Sequence, residues 1–365
     1  MLSPVDILPW LEANVNGVRL SRLKTLAAIV PAAMELEGVG VLALGRAMSG
    51  PVSGKHNIKR VNRFLGNEGL ECTALAKGIF GAFAPRQGRV LVLADWTDVS
   101  NAKMLVFALP ANGRSIPFYA YVVPKLAGEG TLIEAEDKAL QALKGICAAR
   151  SHVTVVADRG FGNKRWLGAV RKAGFHYVQR ISSVFTVDTE LFMGGVKEMN
   201  LRQGDRIRDW GYGTVGADEV IEGRVITAYD PKAKEPWYLV SDLDDAEAEE
   251  IVSIYRRRWW IETVFRDSKN RDWGMGLDMV KLKDFRRYER LFYIVALAFT
   301  LLSAHGALAE AEGVDKEAKA NTRTTRVLNL LRIGIYYIKR RGQKMSDAVD
   351  ALKILATAQA APNWG

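Results

Sequence analysis

Two short runs in this chain are apolar at nearly every position and then stop at a carboxylate. One is Arg89-Val90-Leu91-Val92-Leu93-Ala94-Asp95; the other is the His152 to Ala157 run, followed at once by Asp158. A strand that alternates apolar and polar residues keeps one wet face. A strand apolar throughout has none and must be covered on both sides. Around these runs, Lys103 to Leu109 and Ile116 to Val123 are β-rich, and the turn-forming PANGRS between them predicts a hairpin. Thr131 to Ala149 sets Leu132, Ala135, Ala139, Leu143 and Ile146 on one helical side. Asn163 to Ala173 reads as a helix and Tyr177 to Arg180 as a strand. Three strands, helix, strand, helix, strand is the order of an α/β fold, a mixed sheet with helices on both faces.

The remainder of the 365 residues has a different texture. Residues 1–85 read as short helices punctuated by Gly17, Gly38 and Gly50. Residues 182–244 are rich in glycine, with β-type runs such as Arg224 to Tyr229 and Trp237 to Val240. Helix returns at Asp245 and continues to the end. The expected division is a helical region at 1–85, an α/β core at 86–181 and 245–310, a β-rich insertion at 182–244 and a helical basic region at 311–365. Leu291 to Ala309 carries no formal charge over 19 residues. That length fits a membrane span or the buried central helix of a large domain. Arg286, Arg287 and Arg290 precede it and Glu310 follows. No other stretch supports a membrane reading, so no membrane partner is expected. The N-terminus has acids and prolines where a secretory signal would be basic and then apolar, which makes a cytoplasmic location the expectation.

Charge points to a polyanion. Lys and Arg number 51 against 41 acids, a formal +10, which suits nucleic acid or an anionic surface. Two segments concentrate it. In SGKHNIKRVNRFLGN, Lys55, Lys59 and Arg63 recur every four residues beside Arg60, with Ile58, Val61, Phe64 and Leu65 on the other side. In Asn321 to Met345, Arg323, Arg326, Arg332, Lys339, Arg340, Arg341 and Lys344 occur without an acid, interleaved with Tyr336 and Tyr337. The first segment reads either as a solvated face on a packed helix or as a phosphate-contacting surface; the second, as a basic amphipathic helix, can lie on a membrane or on DNA. Cys72 and Cys147 show no Cys-x-x-Cys spacing and the four histidines are scattered, so neither a disulfide framework nor a thiolate metal site is expected.

Carboxylates at the ends of neighbouring strands can reach one hard divalent cation. The bland reading of Asp95 and Asp158 is that each starts a turn. Asp98 competes with Asp95, which is preferred because it ends the continuous apolar run. A third element lies in IYRRRWWIETVFRDSKNRDWG. Tyr255, Arg258, Glu262 and Lys269 stand at offsets of 0, 3, 7 and 14, so on one continuous α-helix they fall within about 60° of one another. Arg258 and Glu262 suit a surface ion pair at i, i+4. The same four groups also suit a phosphodiester site: phenol, Arg and Lys hold phosphates and Glu is a metal ligand.

Tyr255, Arg258, Glu262 and Lys269 match without a gap the Y-x2-R-x3-E-x6-K signature of the insertion-sequence-four group of DDE transposases, which the chain resembles over roughly residues 50–305. LADWTDV resembles that group's first aspartate motif and ADRGFG its second. The resemblance implies a ribonuclease-H-like core interrupted by a β-rich insertion before the glutamate helix. It implies that Asp95, Asp158 and Glu262 are catalytic and hold two Mg2+ ions, with Mn2+ as a substitute, and that Tyr255, Arg258 and Lys269 contact DNA. Trp237 best matches the group's base-stacking tryptophan, with Trp210 second and a packed core aromatic as the alternative. The implied partners are double-stranded DNA, as terminal inverted repeats and target, and a second copy of the chain. The implied location is the bacterial nucleoid. Lys55, Lys59, Arg60, Arg63, Arg323, Arg326, Lys339, Arg340 and Arg341 would then grip the DNA. The rival expectations are a nuclease that cuts without strand transfer and a non-catalytic DNA-binding regulator.

Overall fold

The computed structural model describes residues 4–36, 38–111, 113–201, 205–216, 220–229, 235–272, 274–318 and 328–341. Five helices come first: α1 (Pro4–Asn14), α2 (Leu20–Met34), α3 (Val41–Ala47), α4 (Gly54–Leu65) and α5 (Cys72–Phe83). The α/β segment follows with β1 (Val90–Val99), β2 (Ala102–Ala111), β3 (Arg114–Pro124), α6 (Glu129–Ile146), β4 (Val153–Ala157), α7 (Lys164–Lys172) and β5 (His176–Arg180). Next are β6 (Thr186–Thr189), β7 (Phe192–Gly195), β8 (Ile207–Val215), β9 (Ile221–Ala228) and β10 (Trp237–Ser241). The chain then runs through α8 (Ala248–Arg256), α9 (Trp260–Lys269), α10 (Arg287–Ala311) and α11 (Leu330–Arg341).

All these strands join one mixed sheet in the order β3-β2-β1-β4-β5-β10-β9-β8-β6-β7. Together with the flanking helices this is the α/β class expected, consistent with a ribonuclease-H-like transposase core. β1, β4 and β5 are parallel, and the β1–β2–β3 meander is antiparallel. The tight turn between β2 and β3 includes Gly113 at φ +76°, a conformation that costs glycine little. The strands of 182–244 extend the same sheet, because β10 pairs antiparallel with β5.

β1 is longer than its sequence suggests. It continues past Asp95 to Val99, still paired to β2, whereas its parallel pairing to β4 ends at Ala94 opposite Ala157. At Asp95 the ladder to one neighbour stops while the ladder to the other continues. The uncharged segment at 291–309 lies within α10. Among the described residues, α10 is the helix long and apolar enough to cross a membrane, and 89% of its most apolar window is buried in the fold. It is the central packing helix, touching α2, α4, α5, β3 and α11.

Candidate active site

The parallel register builds the site. Ala94 pairs with Ala157, and Ala157 pairs with Gln179. The next position along all three strands is therefore a row of Asp95, Asp158 and Arg180. Residues in one row share a face of the sheet, and neighbouring strands lie about 4.8 Å apart. Asp98, an odd number of residues from Asp95, belongs to the opposite face, where it lies 4.0 Å from Lys125.

Burial and the neighbouring Asp158 carboxylate push the Asp95 carboxyl up to about 7, against the opposing pull of Arg258 and of the Trp96 backbone N–H. A carboxyl whose ionisation is suppressed by another anion sits where a cation is welcome. Asp158 also meets its bland reading: one oxygen accepts the Gly160 N–H at 2.8 Å and starts a 3-10 turn over Arg159–Phe161.

Arg258 comes to this row from the other side. It is 7% exposed, and its guanidinium donates to Glu262 at 2.9 Å and lies 3.9 Å from Asp95. Tyr255, also buried, bears electrostatically on Arg258, Arg180 and Asp158; burial raises its phenol. Tyr255, Arg258 and Glu262 thus share the face that looks onto the aspartates. The continuous helix expected across them is not what forms. A 3-10 turn at Arg257–Trp259 separates α8 from α9, and each 3-10 residue advances about 20° further than an α residue. Lys269 stands two turns beyond Glu262, about 10 Å along the axis, with its ammonium 5.9 Å from the Phe265 ring.

The hard oxygen donors of Asp95 and Asp158 suit a divalent cation. Glu262 is a less direct fit, being tied to Arg258. Among the described residues, no group of three or more His, Cys, Asp or Glu is spaced to hold a metal ion. Arg258 occupies the gap between Asp95 and Glu262, so a three-carboxylate cage requires it to swing aside.

Trp237 is 4% exposed and meets the Tyr255 ring edge-on at 5.1 Å, so here it is a packed aromatic. Trp210 is buried as well, with its indole N–H donated to Thr227. The exposed aromatic beside the site is Trp259, 51% exposed, with the Arg258 guanidinium 4.4 Å from its ring centroid. Sequence reasoning missed both Trp259 and Arg180. Arg180 had a weak signal, a charge closing the short β-type segment from Tyr177.

The basic residues fall elsewhere. Lys55, Lys59 and Arg63 are exposed on α4, and Arg60 donates to the Lys24 carbonyl at 3.3 Å. Lys59, Arg60 and Arg63, with Arg22 and His56, line an open groove between α2 and α4. Lys339 and Arg340 are exposed on α11, where Arg340 pairs with Glu317 at 2.9 Å. The neighbouring Tyr337 is core, not surface. Arg323 and Arg326, and the side chain of Arg341, lie outside the described residues.

A search of curated proteins returned no match. The family profile described as Transposase DDE domain matches residues 113–301, just over half of the chain. That span contains Asp158, Arg180, Tyr255, Arg258, Glu262 and Lys269; Asp95 precedes it. A sheet that sets Asp95 and Asp158 side by side, with Arg258 and Glu262 brought against them, carried by a sequence matching this profile, makes the chain a member of the DDE-domain transposase family.

Proposed function

We infer that this transposase belongs to the insertion-sequence-four group and moves DNA by cut-and-paste, freeing its ends through hairpins. The reading rests on one observation: Asp95 and Asp158 share a row, with Arg258 and Glu262 brought against it. Asp95, Asp158 and Glu262 would hold Mg2+, or Mn2+ in its place, which when bound would supply activation of an attacking oxygen and stabilisation of a leaving one in an in-line displacement. Arg258 exchanges its carboxylate partners for a phosphate, to which its planar guanidinium is matched. Tyr255 donates its phenolic proton to a phosphate oxygen, and Lys269 neutralises a phosphate further along the strand. First, water attacks the element end and frees a 3′-OH. That hydroxyl then attacks the phosphodiester of the opposite strand, closing a hairpin and releasing the flanking DNA with a 3′-OH. A second water hydrolyses the hairpin phosphodiester and restores the element's 3′-OH, which attacks a target phosphodiester and expels a target 3′-OH.

In this reading Trp237 receives an unpaired base at the tight hairpin, where stacking contributes about 1–3 kcal/mol. Its burial means that DNA must first uncover it. The α4 and α11 cations hold terminal DNA, and a second copy of the chain brings the other end. The division at residues 85, 181, 244 and 310 assigns end binding to the first region and dimerisation to the last. The protein works in the bacterial cytoplasm, on the nucleoid.

The test incubates the protein with its element-end DNA and Mg2+ and resolves nicked, hairpin and joined products. Asp95→Asn and Glu262→Gln should abolish cleavage and leave end binding intact. Retained cutting by either rejects the metal assignment. Cutting without joining of a precut end makes the protein a nuclease, and binding without any cutting makes it a regulator. Trp237→Phe should slow the hairpin step more than the first nick; equal effects remove the stacking role.

A further inference from the structure

Arg180 completes the row begun by Asp95 and Asp158, and it does not stand alone. Arg159, directly after Asp158, turns the same way. One carboxylate serves both: a single oxygen of Glu235, in the approach to β10, accepts from Arg180 at 2.6 Å and from Arg159 at 3.0 Å. Arg180 is largely covered, with its side chain 17% exposed, whereas Arg159 and Glu235 are about half exposed. The Arg180 Nε is buried with no hydrogen-bond partner. The guanidinium therefore has unspent donor capacity next to the reacting carboxylates.

Two guanidinium groups converging on one oxyanion form the geometry that binds a phosphate, because each offers several N–H donors in a fixed fork. Glu235 presents one anionic oxygen where a phosphodiester would present two. We propose that Arg159 and Arg180 form a binding site for a DNA backbone phosphate flanking the scissile one, and that the Glu235 carboxylate fills this site in the free protein until DNA displaces it. The proposal rests on the transposase reading for its ligand. Its physical consequence is a competition. The intramolecular pair is partly exposed and therefore weak, so a phosphate that engages both arginines displaces it. Glu235, once released, stays in solvent. The contact lowers affinity for DNA of any sequence while leaving the productive complex unchanged, a bias against idle binding.

The experiment measures binding of a fluorescent duplex of random sequence over a salt series, in full-length protein carrying Asp95→Asn to prevent cleavage. Glu235→Gln should tighten binding about twofold to fivefold, the range an exposed pair supports. The salt slope should stay close to the parent's, as the same phosphates are engaged once Glu235 has been displaced. Arg180→Ala should weaken binding and flatten that slope, with Arg180→Lys in between. Glu235→Gln added to Arg180→Ala should tighten binding by less than Glu235→Gln does in the parent, since only Arg159 is then released. Arg159→Ala, at an exposed position where misfolding is not a concern, should weaken binding in the same sense. If Glu235→Gln and Arg159→Ala both leave affinity and salt slope unchanged, the site is overturned while the transposase reading stands. If the parent protein fails to bind DNA at all, both fall together.

Discussion

Asp95 carries two kinds of information in one side chain. Its carboxyl is raised from 3.8 to about 7 by burial and by Asp158. The folded protein therefore keeps a proton that the unfolded chain has released, and stability falls as pH rises from about 4 to about 7, then holds at its lower level. In metal-free protein, Asp95→Asn should melt like the parent near pH 4 and at a higher temperature at pH 8, as followed by circular dichroism. Equal melting at both pH values would mean that the carboxyl is not held in this environment. The tryptophans make a second contrast. Trp237 is sealed against Tyr255 while Trp259 is open to solvent. Trp237→Ala should cost about 3–5 kcal/mol in urea unfolding, since it leaves a cavity. Trp259→Ala should change stability by less than about 0.5 kcal/mol. Sequence spacing singles out Trp237 by resemblance but says nothing of which ring is accessible, because exposure depends on what packs from elsewhere.

Among the elements, α9 matters most because it carries Glu262. It is anchored by the buried pair of Arg114, on β3, and Asp267, 2.9 Å apart and 5% and 4% exposed. Ser115 adds a hydrogen bond to the Trp260 carbonyl. The chain leaving α9 folds back so closely that a Cβ on Gly274 would sit 1.8 Å from the Asp267 carbonyl oxygen. A buried pair adds little over apolar packing, yet removing one partner strands a charge and costs about 3–5 kcal/mol. Asp267→Ala should lose stability on that scale in denaturant titration; a loss below about 1 kcal/mol would show that α9 is held by its apolar face alone. None of this anchor is visible in the sequence. Arg114 and Asp267 are far apart in the chain, and each looks like an ordinary surface charge. The strands and helices around them were legible, because their periodicities are local. The 3-10 turn at Arg257–Trp259 was not, since nothing in the residue types distinguishes it from a continuing helix.

For the whole molecule, the excess of ten positive charges has to be placed before it explains anything. On α4 it is exposed, over a groove shared with α2. Neutralising Lys59, Arg60 and Arg63 together should weaken DNA binding and flatten the plot of log affinity against log salt, with each phosphate contact removed lowering the slope by about 0.9. An unchanged slope in a fluorescence titration would move the contact to another face. The long uncharged segment shows the same dependence on context. Its sequence suits a bilayer as well as a core, and it is the helices and sheet packed around α10 that hide it.

The sequence by itself determined most of the α/β elements, their order and the carboxylates that close two apolar runs, because apolar periodicity and a charge closing an apolar run are properties of neighbouring residues. Only the tertiary structure decided which of those charges meet. The shared row of Asp95, Asp158 and Arg180 follows from strand register, and register is fixed by packing between segments scores of residues apart.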